Sequence, residues 1–266
     1  MTTPVALTIA GSDSSGGAGI QADLKTFAAL GVYGASVITA LTAQNTSGVS
    51  GIHVVPADFV TAQIDAVFSD LDVKAVKVGM VAQLATIDAI VAGLTRWSPK
   101  HIVLDPVMVA TSGDRLLATE AVDALRTKLI PLASLITPNL PEAAALLDEP
   151  LALSESAIES QGKRLLAMGC RAVLIKGGHG QGPESIDYLI GDNGIIVLAS
   201  PRIATKNTHG TGCSLSSAIA AGLVKGEDVE TAVRHAKAWV SAAIAAADRL
   251  DVGHGNGPIH HFHGFY

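Results

Sequence analysis

The sequence predicts an α/β protein of three layers, in which helices cover both faces of a mostly parallel β-sheet that has an antiparallel edge. Short apolar runs alternate with longer segments of helical periodicity along most of the 266 residues. This alternation is typical of β–α–β units, whose strands run parallel. The stretch SIDYLIGDNGIIVLAS carries an Asn193-Gly194 turn, which predicts a hairpin at the antiparallel edge.

The strands are predicted from short apolar runs that glycine or proline ends. In chain order they are VALTIAG, ASVITAL, AVKVGM, HIVLDPV, ASLITPN and AVLIKGG, followed by the hairpin. Residues 26–57 contain no Asp, Glu, Lys or Arg, as a membrane span would, but Gln44, Asn45 and several glycines interrupt them. We therefore expect a buried strand with its loops there.

The helices are predicted from apolar residues three and four positions apart. The first, GIQADLKTFAALG, places Ile20, Leu24, Phe27 and Leu30 on one face, and the second, PADFVTAQIDAVFSD, has a proline at its start. The others are expected near residues 83–97 and 119–130, at LPEAAALL and ESAIESQGKRLLAMG, and near residues 210–224 and 228–248.

Composition limits the function classes. Hydrophobic residues make up 48% and aromatic residues 4%, so one core of Ala, Val, Leu and Ile is expected in a single domain over residues 1–266. The net charge of −6 without a basic run argues against a nucleic-acid partner. Two cysteines do not form a disulfide framework, and the N-terminus reads as a strand rather than a signal peptide. We expect a cytoplasmic protein that binds no membrane.

The residues that carry chemistry should lie just after the strands, because ligands of such sheets bind beyond the carboxyl ends of the strands. The loop GSDSSGGAGI follows the first strand, and Gly17-x-Gly19-x-x-Ala22 matches a loose dinucleotide fingerprint. No acidic residue follows about 20 positions later, as that site requires. The loop either lets a substrate approach the backbone or is a plain turn. No Walker A or G-x-S-x-G motif is present.

The stretch HGTGC places Gly210, Thr211, Gly212 and Cys213 at the start of a predicted helix. The first N–H groups of a helix are unpaired and lie at the positive end of its dipole, so this segment can form an anion hole for a phosphoryl group. The dipole should lower the pKa of Cys213 and make the thiol a base for a substrate hydroxyl. The alternative is a glycine turn beside a small buried cysteine.

Three other polar side chains follow strands. Asn139 and Glu142 are three residues apart, which suits either a hydrated Mg²⁺ or an N-terminal cap with its glutamate. Lys176 either contacts phosphates or is a surface lysine. Asp105 either lies near a metal or phosphate or caps a turn. The histidines of the C-terminal GHGNGPIHHFHGFY either bind metal or belong to a packed tail.

In combination these motifs resemble the ribokinase-like superfamily and, within it, the hydroxymethylpyrimidine/phosphomethylpyrimidine kinases of thiamin biosynthesis. The resemblance rests on stretches that cover nearly the whole chain in the family's order: AGSDSSGGAGIQADLKTF, ITALTAQNT, KVGM, VLDPVM, LITPNLPEA, LIKGGH, KNTHGTGC and GHGNGPIHHFH. It implies ATP-dependent phosphorylation of 4-amino-5-hydroxymethyl-2-methylpyrimidine and of its monophosphate, with ATP, Mg²⁺ and a homodimer.

The resemblance also implies residue roles. Gln44 would read the pyrimidine, since its amide offers a donor and an acceptor side by side. The implied pocket walls are Asp23, Ala18, Gly19, Met80 and Val107. Lys176, Asn139, Thr208 and His209 would contact ATP, and Asp105, Asn139 and Glu142 would hold Mg²⁺. Catalysis would fall to Cys213, Lys176, Gly210, Thr211 and Gly212.

One departure from the family is Ser14, where proline is usual, and we expect it to loosen the loop. Two other functions stay open at this point. A pyridoxal kinase would share the fold and ATP site, and a non-catalytic pyrimidine-binding protein would not need the phosphate-binding residues.

Overall fold

The computed structural model describes residues 3–108, 119–178, 182–192 and 194–266, with the backbone alone for residues 119 and 120. Asn193 of the expected hairpin turn lies outside the described residues. The strands are β1 (Val5–Ala10), β2 (Tyr33–Ile38), β3 (Ala40–Asn45), β4 (Gly48–Val54), β5 (Ala75–Val78), β6 (His101–Leu104), β7 (Leu135–Ile136), β8 (Ala172–Ile175), β9 (Glu184–Gly191) and β10 (Gly194–Pro201). The α-helices are α1 (Gly19–Ala29), α2 (Ala57–Phe68), α3 (Leu84–Trp97), α4 (Thr119–Ala124), α5 (Leu140–Leu147), α6 (Glu155–Leu166), α7 (Thr211–Val224) and α8 (Val229–Ala245).

Eight of these strands form one sheet in the order β10-β9-β8-β7-β6-β5-β1-β2. The ladders from β2 to β8 are parallel, whereas β9 runs antiparallel to both β8 and β10. The predicted three-layer fold with a mostly parallel sheet and an antiparallel edge is therefore confirmed.

Alternate residues along the strands build the two sides of the core. In β1, Leu7 and Ile9 belong to a cluster packed with α2 to α6, whereas Ala6 belongs to a second cluster formed with α1, α7 and α8. Successive side chains of a strand point to opposite faces, so a strand covered on both sides buries all its side chains and is mostly apolar. Accordingly, β5 and β8 are buried at every position, with Lys77 as the charged exception in β5.

Two expectations were wrong in detail. The predicted strand ASVITAL is two strands, because the chain leaves the main sheet at Thr39 and β3 pairs with β4 in a separate antiparallel sheet. Most of β4 is exposed, so this uncharged region is an external hairpin and not a buried strand. The helix expected near 119–130 is α-helical only as α4, up to Ala124. It is followed by a π turn (Leu125–Leu129) and by a 3₁₀ turn (Ile130–Leu132) that contains a proline.

Candidate active site

A cavity of about 770 Å³ lies at the carboxyl ends of β1, β5, β6 and β8, beside the N-terminus of α7. Residues far apart in the chain meet there because parallel strands end at one edge of the sheet. The sequence-derived candidates that line it are Ala18, Gly19, Gln44, Met80, Asp105, Val107, Asn139, Glu142, Lys176, Thr208, His209, Gly210, Thr211, Gly212 and Cys213.

The N-terminus of α7 opens on this cavity without a side-chain cap. Its N-cap, Gly210, has a φ of 81°, a left-handed conformation that favours glycine. A Cβ atom on Gly210 would also collide with the carbonyl oxygen of Gly17. The glycine thus lets the glycine-rich loop pack directly on the helix start, whose first N–H groups can bind an anion.

Lys176 provides a positive charge over the same helix start. Its Nζ would lie 3.3 Å from a Cβ atom placed on Gly212, a tight contact that glycine avoids. The Nζ atom is 2.8 Å from Oδ1 of Asp105 and 4.0 Å from Oε2 of Glu142. Burial alone would lower the pKa of Lys176, but Asp105 and Glu142 raise it. The ammonium therefore stays charged in a nearly buried position.

Asp105 and Glu142 respond differently to their burial. Burial would raise the pKa of Asp105, but Lys176 and Lys77 lower it, and Thr137 donates a hydrogen bond of 3.0 Å to its Oδ1. Burial raises the pKa of Glu142 to about 7, although Lys176 opposes this. At neutral pH Asp105 is ionised, whereas Glu142 is present in both its protonated and its ionised form.

Asn139 and Glu142 form a complete capping box at the start of α5. The Asn139 side chain accepts a hydrogen bond from the Glu142 backbone N–H, and the Glu142 carboxylate accepts one from the Asn139 backbone N–H, both at 2.8 Å. This is the structural alternative that the spacing left open. It uses Oδ1 of Asn139 and fixes Glu142 at the cavity wall.

The carboxylates on either side of Lys176 fit a Mg²⁺ ion that enters with phosphates. No three His, Cys, Asp or Glu side chains of the described ranges converge closely enough to hold a metal by themselves. Mg²⁺ commonly uses one or two carboxylates and completes its shell with phosphate oxygens and water. Asp105 and Glu142 could supply such ligands, whereas Asn139 serves mainly to position Glu142.

The expectation of a low thiol pKa at Cys213 was wrong. Burial raises the pKa of Cys213 to about 11; Lys77 opposes this shift, while Asp23 and Asp105 add to it. The helix dipole favours the thiolate, but removal from water costs more than a terminal dipole returns. Cys213 is therefore a neutral thiol at pH 7.

Gln44 lies at the other side of the cavity, near the tip of the β3–β4 hairpin. Its Oε1 accepts a hydrogen bond of 3.2 Å from Thr42 Oγ1, and its Nε2 is 3.5 Å from Nε2 of His209. His209 Nε2 lies 2.8 Å from Asp13 Oδ2, which fixes the hydrogen on this ring nitrogen. The long contact with His209 leaves the amide hydrogens of Gln44 available to a ligand.

His209 thus lies beside Gln44, and its expected contact with ATP stays a prediction. Asp13, which holds it, also accepts hydrogen bonds from the N–H groups of Ser15, Gly17 and Ala18. Burial alone would raise the pKa of Asp13, but the hydrogen bonds with His209, Ser15 and Ala18 hold it well below its usual range. An ionised Asp13 therefore organises the glycine-rich loop.

Asp23 is not a wall of the cavity, which corrects the sequence-derived assignment. It is fully buried, and both of its carboxylate oxygens lie 2.9 Å from Nζ of Lys77 on β5. The hydroxyls of Thr8 and Ser217 complete its hydrogen bonds. Asp23 therefore belongs to the core, and Lys77 is the member of the pair that reaches the cavity lining.

Sequence reasoning missed several polar residues of the cavity. Lys77 was detectable as the single charge in the apolar strand AVKV. At the far end, Lys237 Nζ lies 2.6 Å from Asp187 Oδ2, and the N–H of Gly177 donates to Asp187 Oδ1. No spacing in the sequence predicts this pair, because Asp187 on β9 and Lys237 on α8 are 50 positions apart and come together only in the folded protein.

The tail with the C-terminal histidines packs against α7 and α8. His261 is buried, its Nε2 lies 2.9 Å from Oγ of Ser214, and burial lowers its pKa to about 4. Trp239 contacts the rings of His261 and His263.

In the described part of the chain, no helix is both long enough and apolar enough to cross a lipid bilayer.

Comparison with known proteins identifies the family. The family model described as phosphomethylpyrimidine kinase matches residues 13–260. The hydroxymethylpyrimidine/phosphomethylpyrimidine kinase of Rhizobium meliloti is 58% identical over 261 residues, and that of Escherichia coli is 56% identical; both alignments cover 98% of each chain.

Solved structures show the same similarity. The phosphomethylpyrimidine kinase of Clostridium difficile superposes with a TM-score of 0.80 at 45% identity, over 90% of this chain and 99% of that chain. The pyridoxal kinase of Bacillus subtilis, solved as an ADP complex, superposes with a TM-score of 0.90 at 36% identity, over 98% of both chains. The matched residues and the full-length identities show that this chain belongs to the phosphomethylpyrimidine kinase family.

Proposed function

We propose that this protein transfers the γ-phosphoryl group of ATP to 4-amino-5-hydroxymethyl-2-methylpyrimidine and then to its monophosphate, which yields the pyrimidine diphosphate used to build thiamin. We further propose that it uses Mg²⁺ and works as a homodimer in the cytoplasm. Two free cysteines, Cys170 and Cys213, support a reducing compartment.

One observation carries the proposal: a side-chain amide suited to a heterocycle and a helix N-terminus suited to a phosphoryl group line the same cavity. Gln44 supplies the amide, and Gly210 to Cys213, with Lys176 above them, supply the anion site. A sensor of free pyrimidine would not need the second feature. A kinase needs both, because it must hold an acceptor and a transferring group together.

At the acceptor end, Gln44 would pair with the aminopyrimidine edge. Its Nε2 hydrogens can donate to a ring nitrogen, and the second lone pair of Oε1 can accept from the exocyclic amine. The backbone of Ala18 and Gly19, with Met80 and Val107, would enclose the ring. His209, held by its hydrogen bond to Asp13, would lie beside the Gln44 amide at the edge of this site.

At the donor end, Lys176 would neutralise charge on the transferring phosphoryl group, while Gly212 and Cys213 would offer backbone N–H groups to its oxygens. The N–H of Thr211 already donates to the Thr208 carbonyl oxygen. Asp105 and Glu142 would hold Mg²⁺, which would supply counter-charge for the phosphates. Thr208 lines this side of the cavity and would contact the nucleotide.

Cys213 would lie beside the acceptor hydroxyl. A thiol with a pKa of about 11 is almost entirely protonated at pH 7, so its role is to orient the hydroxyl by a hydrogen bond, while the hydroxyl's proton passes to a phosphoryl oxygen late in the transfer. Such timing suits a loose transition state, in which positioning and charge supply most of the rate.

ADP release tests this function directly. Purified protein with Mg²⁺-ATP receives the hydroxymethylpyrimidine, its monophosphate or pyridoxal, and wild type is compared with Gln44→Ala. Loss of the amide should lower kcat/KM for the pyrimidine by about 10- to 100-fold, the worth of a bidentate contact. Gln83→Ala is the matched control, because Gln83 is exposed at the N-cap of α3, outside the cavity lining.

Each outcome is decisive. Turnover of the pyrimidine and its monophosphate that falls only in Gln44→Ala supports the proposal. Turnover with pyridoxal alone would keep the kinase chemistry and refute the substrate. Absence of turnover with all three would indicate a binding protein.

A further inference from the structure

Gln44 sits on a part of the fold that cannot hold its own position. The β3–β4 hairpin is a separate two-stranded sheet, and its register shifts between Ala43 and Gln44. A two-stranded sheet alone is marginally stable in water, and a bulge interrupts its ladder locally. The position of the Gln44 backbone therefore depends on contacts from outside the hairpin.

The Ser14 hydroxyl supplies two such contacts. Ser14 Oγ donates a hydrogen bond of 2.7 Å to the Gln44 carbonyl oxygen and accepts one of 2.9 Å from the Gln44 N–H. One side chain thus pairs with both backbone polar groups of Gln44, from thirty positions away. Those two groups are the ones that a bulge residue shares least well with its partner strand.

Ser14 itself belongs to a loop whose backbone is held by hydrogen bonds. Its neighbour Asp13 accepts hydrogen bonds from the N–H groups of Ser15, Gly17 and Ala18, and these bonds hold the glycine-rich loop in its turns. We expected a serine at this position to loosen the loop, but that expectation did not include the two hydrogen bonds that the Ser14 hydroxyl makes with the hairpin.

Other tethers hold other parts of the hairpin. Ser12 pairs with Ala40 and Thr42 near its base, and Thr46 pairs with the backbone of residues 255 and 256 beyond its tip. Within the described ranges, the bonds from outside the hairpin to the backbone of residue 44 come from Ser14.

We propose that Ser14 is a positioning residue that fixes the backbone of Gln44 and thereby the amide that reads the substrate ring. The proposal rests on the proposed function of Gln44. Among the described residues, the side-chain hydrogen bonds of Ser14 go to Gln44, so it acts on the acceptor end of the cavity. Its loss should weaken substrate binding and leave the transfer step nearly unchanged.

The experiment compares Ser14→Ala, Ser14→Thr and Ser50→Ala with wild type. Ser50 is the matched control, since its exposed hydroxyl donates a hydrogen bond to the Ala43 carbonyl inside the hairpin. The measurements are KM and kcat for the hydroxymethylpyrimidine, and hydrogen–deuterium exchange of residues 40–54 in protein without ligand. Ser14→Ala should raise KM about fivefold with kcat within twofold, as expected for two partly exposed hydrogen bonds.

Ser14→Thr keeps the hydroxyl and should restore KM, and exchange of residues 40–54 should accelerate in Ser14→Ala more than in Ser50→Ala. An unchanged KM in Ser14→Ala, an equal rise in Ser50→Ala, or a parallel loss of kcat would overturn the proposal. If wild type shows no pyrimidine turnover, the proposed function fails, and the exchange data alone decide whether Ser14 fixes the hairpin.

Discussion

Replacing Lys77 by methionine should destabilise the protein more than any single surface charge could. The Lys77 and Asp23 side chains are both fully excluded from solvent and lie 2.9 Å apart. Thr8 and Ser217 donate the remaining hydrogen bonds to Asp23, at 2.6 and 2.7 Å. After Lys77→Met, a buried carboxylate would keep only two hydroxyl partners.

The magnitude follows from that count. Removal of one partner of a buried pair typically costs about 3–5 kcal/mol, because an uncompensated charge stays behind. The two hydroxyls soften the loss, so we expect about 3 kcal/mol, a large share of the 5–15 kcal/mol typical of whole proteins.

The sign of the pH dependence is also fixed. Burial would lower the pKa of Lys77, but Asp23 and Cys213 raise it above its ordinary 10.5. A raised lysine pKa contributes stability that is fully present below the unfolded pKa and is lost as the pH rises through the folded one. An assay at pH 7 therefore measures the whole contribution.

The assay is urea unfolding of wild type, Lys77→Met, Asp23→Asn and the double variant. The double variant should cost at least about 1.5 kcal/mol less than the two single costs combined, since each single change strands a charge or a donor. Lys163→Met is the control, because Lys163 pairs with Glu159 on the exposed face of α6 and should cost under about 0.5 kcal/mol. A cost below about 1 kcal/mol for Lys77→Met, or strict additivity, would refute the reasoning.

Three further predictions concern the cavity. Cys213→Ala should lower kcat far more than it raises KM, and native Cys213 should react with iodoacetamide at pH 7 roughly 100-fold more slowly than free cysteine, because its pKa is about 11; a normal kcat or fast labelling in a mass-spectrometric assay would contradict this. The pKa of Glu142 is raised to about 7, so protonation of Glu142 stabilises the folded protein at low pH, and this stabilisation is lost as the pH rises from about 4.5 to 7. In metal-free buffer, the free energy of unfolding of wild type should fall by about 2 kcal/mol relative to that of Glu142→Gln across this range, as measured by urea unfolding. Gly210→Ala should cost more than about 2 kcal/mol and lower the Tm by at least about 4 °C, through its positive φ and the collision with Gly17, whereas Gly264→Ala, with open space around it, should leave the Tm unchanged.

The sequence was sufficient for features that depend on local periodicity. Strands that are buried on both faces are mostly apolar, and residues just after them, such as Asp105 and Lys176, must reach one edge of a parallel sheet. The order of strand and helix therefore places most of the cavity lining without any structure.

Features that depend on contact between distant segments were not predictable in this way. Lys77 and Asp23 are 54 positions apart, and only the fold shows that one neutralises the other. The absence of charge over residues 26–57 predicts a buried strand with its loops, whereas most of β4 within this range is exposed. The thiol pKa of Cys213 was misjudged since a helix terminus is visible in sequence and the depth of burial is not.

The charges at the donor end explain why a divalent cation should enter with the nucleotide. Lys176 is already paired with Asp105, and Lys77 with Asp23, so the described lysines nearest α7 add little net positive charge. Glu142 adds a negative charge whenever it loses its proton. A triphosphate brings several negative charges into this surrounding, and backbone N–H groups carry only partial charges. We therefore expect counter-charge to arrive with the phosphates. The proposed Mg²⁺ beside Glu142 would favour the ionised carboxylate, so that nucleotide, cation and ionised Glu142 would stabilise one another.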